Sequence, residues 1–502
     1  MTGGMHAYPQ SHNSDICVHQ AQFMNHQNAL IADRATDDTS ARCSMLPDDD
    51  EDEEDDYAEL NPLDMVDVRD LLVRDDSSDS TSNSSSGAGS KQSAFPSSKR
   101  SSKILSGLKG GSVDALVIYA THVGKHDLCA VGSFLSLSQA DLDTDFMYQE
   151  AFLTTYRTFL TPEELIDKLL YRYNKFSHAQ DVSKKRLSRN AFSLLVRVVD
   201  ELTSSELVSS INLRLLRLVA ELVREGELTL AKIMRRKLLE KFDPNQKPIK
   251  KIEIVVSAPK SPLKEATLID FKSQELAEQL TLLENDFYQR LELPELLIWS
   301  REQNEEKCPN LVEFTEHFNK ISWWCRNLIL KPDDPTTREK YFIKFVHILK
   351  HLRKHNNFNS LLALLSALDS APISRLDWPK QEKEMIQEYF SLIDCTSSFK
   401  SYRMTLAEAQ PPCIPYIGLI LNDMTIIRVG NTAKLADGDL INFQMRWQLF
   451  NVLECLRRFR KPVYPFQKDQ NILQFLDDFN DYNSNDDEMW ERSKEIKPTS
   501  TK

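Results

Sequence analysis

From about residue 113 onward the apolar residues recur at spacings of three and four, and that period selects helix. In TYRTFLTPEELIDKLLYRY the reading is sharpest. Thr161 is a predicted N-cap, Pro162 takes the first helical position and Glu164 completes a capping box, while Leu165, Ile166, Leu169 and Leu170 form the buried stripe. Phe192, Leu195, Val196 and Val199, then Leu215, Leu218, Val219 and Leu222, continue the pattern, so residues 113–240 read as a first all-helical unit. Residues 241–266 carry four prolines around a short β-like run, Ile252 to Val256, and read as a linker. A second helical unit, 267–498, opens with Leu276, Leu280, Leu283 and Phe287. It continues through Tyr341–Leu352, Phe358–Leu368, Met385–Ile393, Phe443–Phe459, Ile472–Phe479 and a last piece around Trp490. One stretch breaks the amphipathic rhythm: PYIGLILNDMTIIRVGN, 415–431, whose β-branched residues and Gly418 and Gly430 suggest a hairpin-like excursion between helices. The expected fold class is all-α, with two helical domains.

The first 110 residues differ in kind. They hold 9 basic and 20 acidic side chains, including the run Asp48–Asp56, and pass into a Ser-rich stretch near 77–102. Such a segment buries too little apolar surface to offset chain entropy, and is expected to be disordered. Within it YAELNPLDMVDVRDLLV, 57–73, could line Leu60, Leu63, Met65, Val66, Leu71 and Leu72 along a short helix. That leaves open a transient helix in a tail, or a docking or self-inhibitory segment.

The whole chain has 62 Lys and Arg against 75 Asp and Glu, and most of the deficit lies in this segment. The near-neutral remainder lacks the positive field that would grasp nucleic acid. The eight cysteines are scattered without a Cys-x-x-Cys pair, and read as reduced and structural. The amino terminus has no basic-then-apolar leader and no stretch reaches membrane-spanning length, so a soluble intracellular protein is expected, without direct membrane insertion.

Motifs for covalent chemistry are missing. Gly124-Lys125 is followed by His126, and Tyr119 stands where a phosphate loop needs glycine. His347, His351 and His355 share a helical stripe, but Lys350, Arg353 and Lys354 lie among them and no nearby acid or thiol completes a ligand set. Ala436–Asp439 (ADGD) lacks the remaining ligands of a calcium loop. Neither metal nor cofactor is expected.

Five blocks carry a resemblance. ENDFYQRLELPELL (284–297), FNKISWWCRNLIL (318–330), LRKHNNFNSLLALLSALDSAPISRL (352–376), PPCIPYIGLILNDMTIIRVGN (411–431) and LINFQMRW (440–447) resemble, in order and spacing, the Ras-family guanine nucleotide exchange domain. YQEAFLTTYRTFLTPEELIDKLL (148–170) resembles the Ras-exchanger motif domain that accompanies it. The last blocks and the tail WERSKEIKP (490–498) are most similar to Rap-directed members that bind the adaptor Crk. Such members carry proline-rich adaptor sites further upstream. No basic Pro-x-x-Pro array occurs in the first 110 residues, which suggests a short form and leaves the adaptor partner in question.

The resemblance implies a cytoplasmic exchange factor for a Ras-family small GTPase, Rap foremost and Ras or R-Ras as alternatives, recruited to the plasma membrane by partners. No covalent step is implied, and in that sense the protein is no enzyme. A projecting helical hairpin would pry open the switch region of the GTPase, with Asn422, Thr425 and Val429 inserted and Asn431 closing the segment. Glu316, Leu362, Asp369, Ser370, Phe399 and Tyr416 would grip the GTPase, although Leu362 also fits the apolar stripe of its own helix. Asn356, Asn357, Phe358 and Asn359 read as structural: asparagines that satisfy backbone donors at a helix start, and a phenylalanine that anchors the core. Thr425 and Val429 replace the leucine and glutamate of many Ras-directed members, so displacement would rest on sterics and loss of magnesium coordination. The same departure supports the rival reading, a non-catalytic GTPase-binding scaffold.

Overall fold

The computed structural model describes residues 61–66, 71–74, 108–122, 139–203, 205–242, 266–394, 397–436, 438–460, 463–477 and 485–498. The acidic run, the Ser-rich stretch, Gly124-Lys125 and the β-like run at 252–256 lie outside them.

The N-terminal unit comprises α1 (Val113–His122), α2 (Gln139–Thr155), α3 (Pro162–Ser177), α4 (Val182–Glu201), α5 (Ser209–Arg224) and α6 (Leu228–Phe242). The second holds α7 (Ser273–Arg290), α8 (Leu293–Glu302), α9 (Pro309–Leu330), α10 (Pro335–Lys354), α11 (Phe358–Asp369), α12 (Ala371–Ser374), α13 (Lys380–Phe390), α14 (Lys400–Glu408), α15 (Ile417–Gly430), α16 (Phe443–Arg460), α17 (Gln470–Asp477) and α18 (Asp486–Ile496). Helix dominates, as the apolar period requires. At α3 the capping box is complete: Glu164 N donates to Thr161 Oγ1 at 3.3 Å and Thr161 N donates to Glu164 Oε2 at 2.9 Å. Leu165, Ile166 and Leu169 are buried beneath it.

Three expectations change. The hairpin-like excursion read at 415–431 is mostly a helix, α15 (Ile417–Gly430), because Ile417, Ile420, Leu421 and Met424 fall on a single helical face and all are buried. Packing on that face overrides the β preference of its isoleucines. The 57–73 segment is no amphipathic helix among its described residues: it forms a 3-10 turn at Pro62–Asp64 and a strand β1, Leu72–Arg74. Parts of the segment expected to be disordered are therefore ordered, with Leu63 and Leu72 buried. β1 pairs antiparallel with β2 (Leu108–Gly111), and β2 pairs antiparallel with β3 (Ile441–Asn442), giving the helical fold a three-stranded sheet.

Two apolar cores follow the two units, with one crossing. The first gathers Leu116, Tyr148, Phe152, Ile166, Leu195 and Leu215, and also takes in Ile441, Phe443 and Phe450 from β3 and α16. The second is built around α7, α9, α10 and α11, with Leu280, Phe318, Trp324, Phe345 and Leu361 fully buried.

Candidate functional site

The site starts from the sequence Asn356-Asn357-Phe358-Asn359. Asn356 adopts a left-handed backbone (φ 53°), which asparagine tolerates better than most residues, and turns the chain between α10 and α11. Asn357 caps α11, its Oδ1 accepting from Ser360 N at 3.1 Å, while its amide donates to Ser360 Oγ at 2.9 Å. Phe358 is fully buried edge-on to Tyr402, with ring centroids 5.5 Å apart. Asn359 faces two ways: its amide donates to Glu284 Oε1 at 2.7 Å and its Oδ1 accepts from Ile417 N, the first residue of α15, at 3.1 Å. Ser360 Oγ donates to the other oxygen of Glu284 at 2.7 Å, and His317 Nε2 lies 3.4 Å from it.

Glu284 is thus a fully buried carboxylate joining α7, α9 and α11, and through Asn359 the start of α15. A buried carboxylate is tolerable only when hydrogen-bonded in this way. Through Asn359 the asparagine signature supports the N-terminus of α15. Glu284 was missed as a site residue, although it stands in the block that opens at 284.

A second set of contacts reinforces that start. Phe358 N donates to Ile414 O at 2.9 Å, and Ile414 N to Asn356 O at 3.0 Å, lashing the chain ahead of α15 to the signature. Tyr416 N donates to Tyr402 Oη at 2.7 Å, and the Tyr416 ring packs against Phe318 with centroids 5.4 Å apart. Gly418 is required here, since a Cβ on it would stand 2.4 Å from Tyr416 Oη. Further along, Arg403 of α14 grips Asp423 with two bonds, at 2.7 and 2.6 Å.

With one face of α15 buried, the opposite face carries Asn422, Thr425, Ile426 and Val429 at helical spacing. Asn422 and Thr425 are half-buried, whereas Ile426 and Val429 are 54% and 59% exposed. Thr425 Oγ1 donates to Leu421 O of its own helix at 2.9 Å, so its methyl is the part left for an outside contact. Ile426 was missed; its spacing of four from Asn422 and three from Val429 would have found it. Asn431 follows the end of α15, where its amide donates to Ile427 O at 2.7 Å and to Gln448 Oε1 of α16 at 3.3 Å.

The positions expected to grip a partner divide. Leu362 is 0% exposed and Tyr416 5%, so neither is available at the surface. Their side chains fill the core beneath α11 and α15. Glu316 is exposed, reaching Lys320 at 3.9 Å. Asp369 and Ser370 lie half-buried at the end of α11, where Ser370 Oγ donates to Ala367 O at 2.6 Å. Burial pushes the Asp369 carboxyl up to about 6. Phe399 is half-buried, and both it and Ser398 adopt left-handed backbones (φ 57° and 54°) ahead of α14. Two such residues in a row are strained, by about 1–3 kcal/mol each, a feature that concentrates at functional loops.

The hairpin's second helix is anchored elsewhere. Phe443 lies against Tyr148 with centroids 4.8 Å apart, Arg457 reaches Glu150 at 3.4 Å, and Phe450 is buried in the N-terminal core. Arg446, 2% exposed, donates to Ala433 O and Asn442 O in the connecting loop, and its Nε to Thr158 Oγ1 of the N-terminal unit at 3.2 Å. Burial lowers this guanidinium to about 10. Among the described residues no group of three or more His, Cys, Asp or Glu is placed to hold a metal ion.

Residues 275–447 match the family model of the RasGEF domain, and residues 107–226 that of the RasGEF N-terminal motif. The chain belongs to the RasGEF family. Its RasGEF domain thus contains Glu284, the asparagine signature and the whole of α15, and its N-terminal motif begins at β2. The chain is 48% identical over 394 residues to Rap guanine nucleotide exchange factor 1 of Homo sapiens, an alignment covering 78% of this chain and 34% of that protein. It is 42% identical over 411 residues to guanine nucleotide-releasing factor 2 of Drosophila melanogaster (78% and 25%), and 29% identical over 417 residues to Ras guanine nucleotide exchange factor J of Dictyostelium discoideum (78% and 48%). It therefore spans between a quarter and a half of the length of these relatives.

Proposed function

We propose that this chain is a guanine nucleotide exchange factor for a Ras-family small GTPase, with Rap as the preferred partner. The supporting observation is the outward face of α15, where Asn422, Thr425, Ile426 and Val429 form a partly apolar wedge on a helix fixed at its start by Asn359 and along its length by Arg403. The name of the human relative supports the choice of Rap.

The physical task is to empty a nucleotide site whose affinity can approach picomolar, about 16 kcal/mol at standard state. An exchange factor does so by binding the nucleotide-free GTPase and lowering the barrier to release, without changing the GDP/GTP equilibrium. A wedge of Thr425, Ile426 and Val429 bears no charge to compete with phosphate, so it acts by occupying space in the switch region. Glu316, Asp369, Ser370 and Phe399 are the surface positions assigned to hold the rest of the GTPase, while Leu362 and Tyr416 support them from within. No helix among the described residues is long and apolar enough to cross a membrane, and the reading assigns delivery to the plasma membrane to an adaptor partner.

The test is release of fluorescent GDP from Rap, with Ras and R-Ras in parallel. Accelerated release from Rap supports the reading. Acceleration confined to Ras or R-Ras moves the substrate, and tight binding to nucleotide-free GTPase without acceleration makes the protein a scaffold.

A further inference from the structure

We propose that residues 61–66 and 71–74 form a clasp that positions the foot of the hairpin, so that the working exchange unit begins near residue 61 and not at 113. The clasp lies outside both family-matched regions. Its effect on activity rests on the exchange reading above; its effect on the hairpin does not.

Arg172 of α3 is 0% exposed, and its Nη1 donates to Leu63 O at 2.6 Å and Met65 O at 3.1 Å. A buried guanidinium needs acceptors, and these two belong to the backbone of the clasp. On the same turn Asp64 accepts from Tyr171 Oη at 2.7 Å and Lys175 Nζ at 2.8 Å, while Leu63 packs on Ile118. The turn is therefore docked by an apolar contact, an ion pair and a buried cation together.

From the turn the chain reaches β1, where Leu72 is 6% exposed and joins the N-terminal core. β1 pairs Leu72 with Gly111 and Val73 with Gly110, and β2 pairs the same glycines with Ile441 and Asn442 of β3. β3 runs directly into α16. The glycines are what this layering demands. A Cβ on Gly110 would stand 1.9 Å from Ile441 O, and one on Gly111 would stand 3.0 Å from the Leu72 side chain and 3.3 Å from Leu71 O. The middle strand is thus pressed from the hairpin side and from the clasp side. Two-stranded pairings this short are marginal alone, and the third strand completes a sheet whose far edge is the hairpin's foot. Loss of the clasp would free β2, then β3 and the 431–442 connection, and with them the set of α15.

The experiment uses the full chain with Leu72→Asp, with Asp64→Asn as a milder lesion on the turn, with Gly110→Ala on the hairpin side of the sheet, and with Val66→Asp as a control at an exposed position. Amide hydrogen exchange is followed at 108–111 and 435–446, and fluorescent-GDP release from Rap is measured over a range of Rap concentrations. The expected result is faster amide exchange at the hairpin foot in the first three variants, with α3–α5 still protected. The maximal release rate should fall roughly fivefold in Leu72→Asp and Gly110→Ala, the size of change that losing one good contact makes in an equilibrium. Half-saturation should hold steady, and Val66→Asp should match wild type. An unchanged hairpin foot, or a release rate that stays level or rises when the foot loosens, overturns the clasp. Should wild type itself fail to accelerate release, the exchange reading falls, and hydrogen exchange alone decides the clasp. Should Leu72→Asp unfold α3–α5, Asp64→Asn carries the decision.

Discussion

Helices α15 and α16 lie side by side, yet they meet the rest of the molecule differently. The far side of α16 is clothed by the N-terminal unit, with Phe443 on Tyr148, Phe450 in that unit's core and Arg457 on Glu150. The far side of α15 leaves Ile426 and Val429 in the open. Between the two, Asn431 and Arg446 tie the connecting loop to both helices and to Thr158. One arm of the hairpin is thus a bracket and the other a tool held by it. On the proposed function, α15 presents apolar surface to the GTPase without collapsing onto its own core, and the anchored α16 holds it in place.

Four substitutions probe the contrast, in order of expected size. Phe450→Ala removes a buried ring from the bracket and should lower stability by about 3–5 kcal/mol, read as a shift of the urea midpoint. A shift as small as that of a surface residue would show that α16 does not depend on the N-terminal unit. Asn359→Ala leaves Ile417 N and a buried carboxylate short of a partner, at about 1–3 kcal/mol. Its amide-exchange signature should concentrate at the start of α15, and a uniform loss over the second unit would argue that Glu284, and not the hairpin, is what Asn359 serves. Arg403→Ala removes a paired but partly solvated grip on Asp423 and should cost about 1 kcal/mol or less, with slower exchange on Rap as the more visible effect. Val429→Ala, on the tool's open face, should leave stability within about 0.5 kcal/mol and reduce the exchange rate modestly.

Much of this was legible in the chain. The capping box at Thr161 and Glu164, the stripe below it and the order of the helices follow from spacing, because local hydrogen bonds and one-sided burial write themselves into the sequence. Three features were not. The run 415–431 read as a hairpin-like excursion from its β-branched residues and two glycines, although the spacing of Ile417, Ile420, Leu421 and Met424 already described a helical face; residue preference misled where period would have served. The sheet was illegible because β1, β2 and β3 are two to four residues long and exist only through partners remote in sequence. The burial of Leu362 and Tyr416 was illegible for another reason: a matched block conveys order along the chain, whereas exposure depends on what folds over it. Ile426 was within reach of helical geometry once α15 was known to be a helix.

On the proposed function, the open face of α15 opens the GTPase by occupying space. Its most direct test is fluorescent-GDP release from Rap by Thr425→Arg and Ile426→Asp proteins that circular dichroism and urea unfolding show to be folded as wild type. The release rate should fall about tenfold or more for each, equivalent to roughly 1.4 kcal/mol of lost transition-state binding. Folded variants that release GDP as fast as wild type would contradict it.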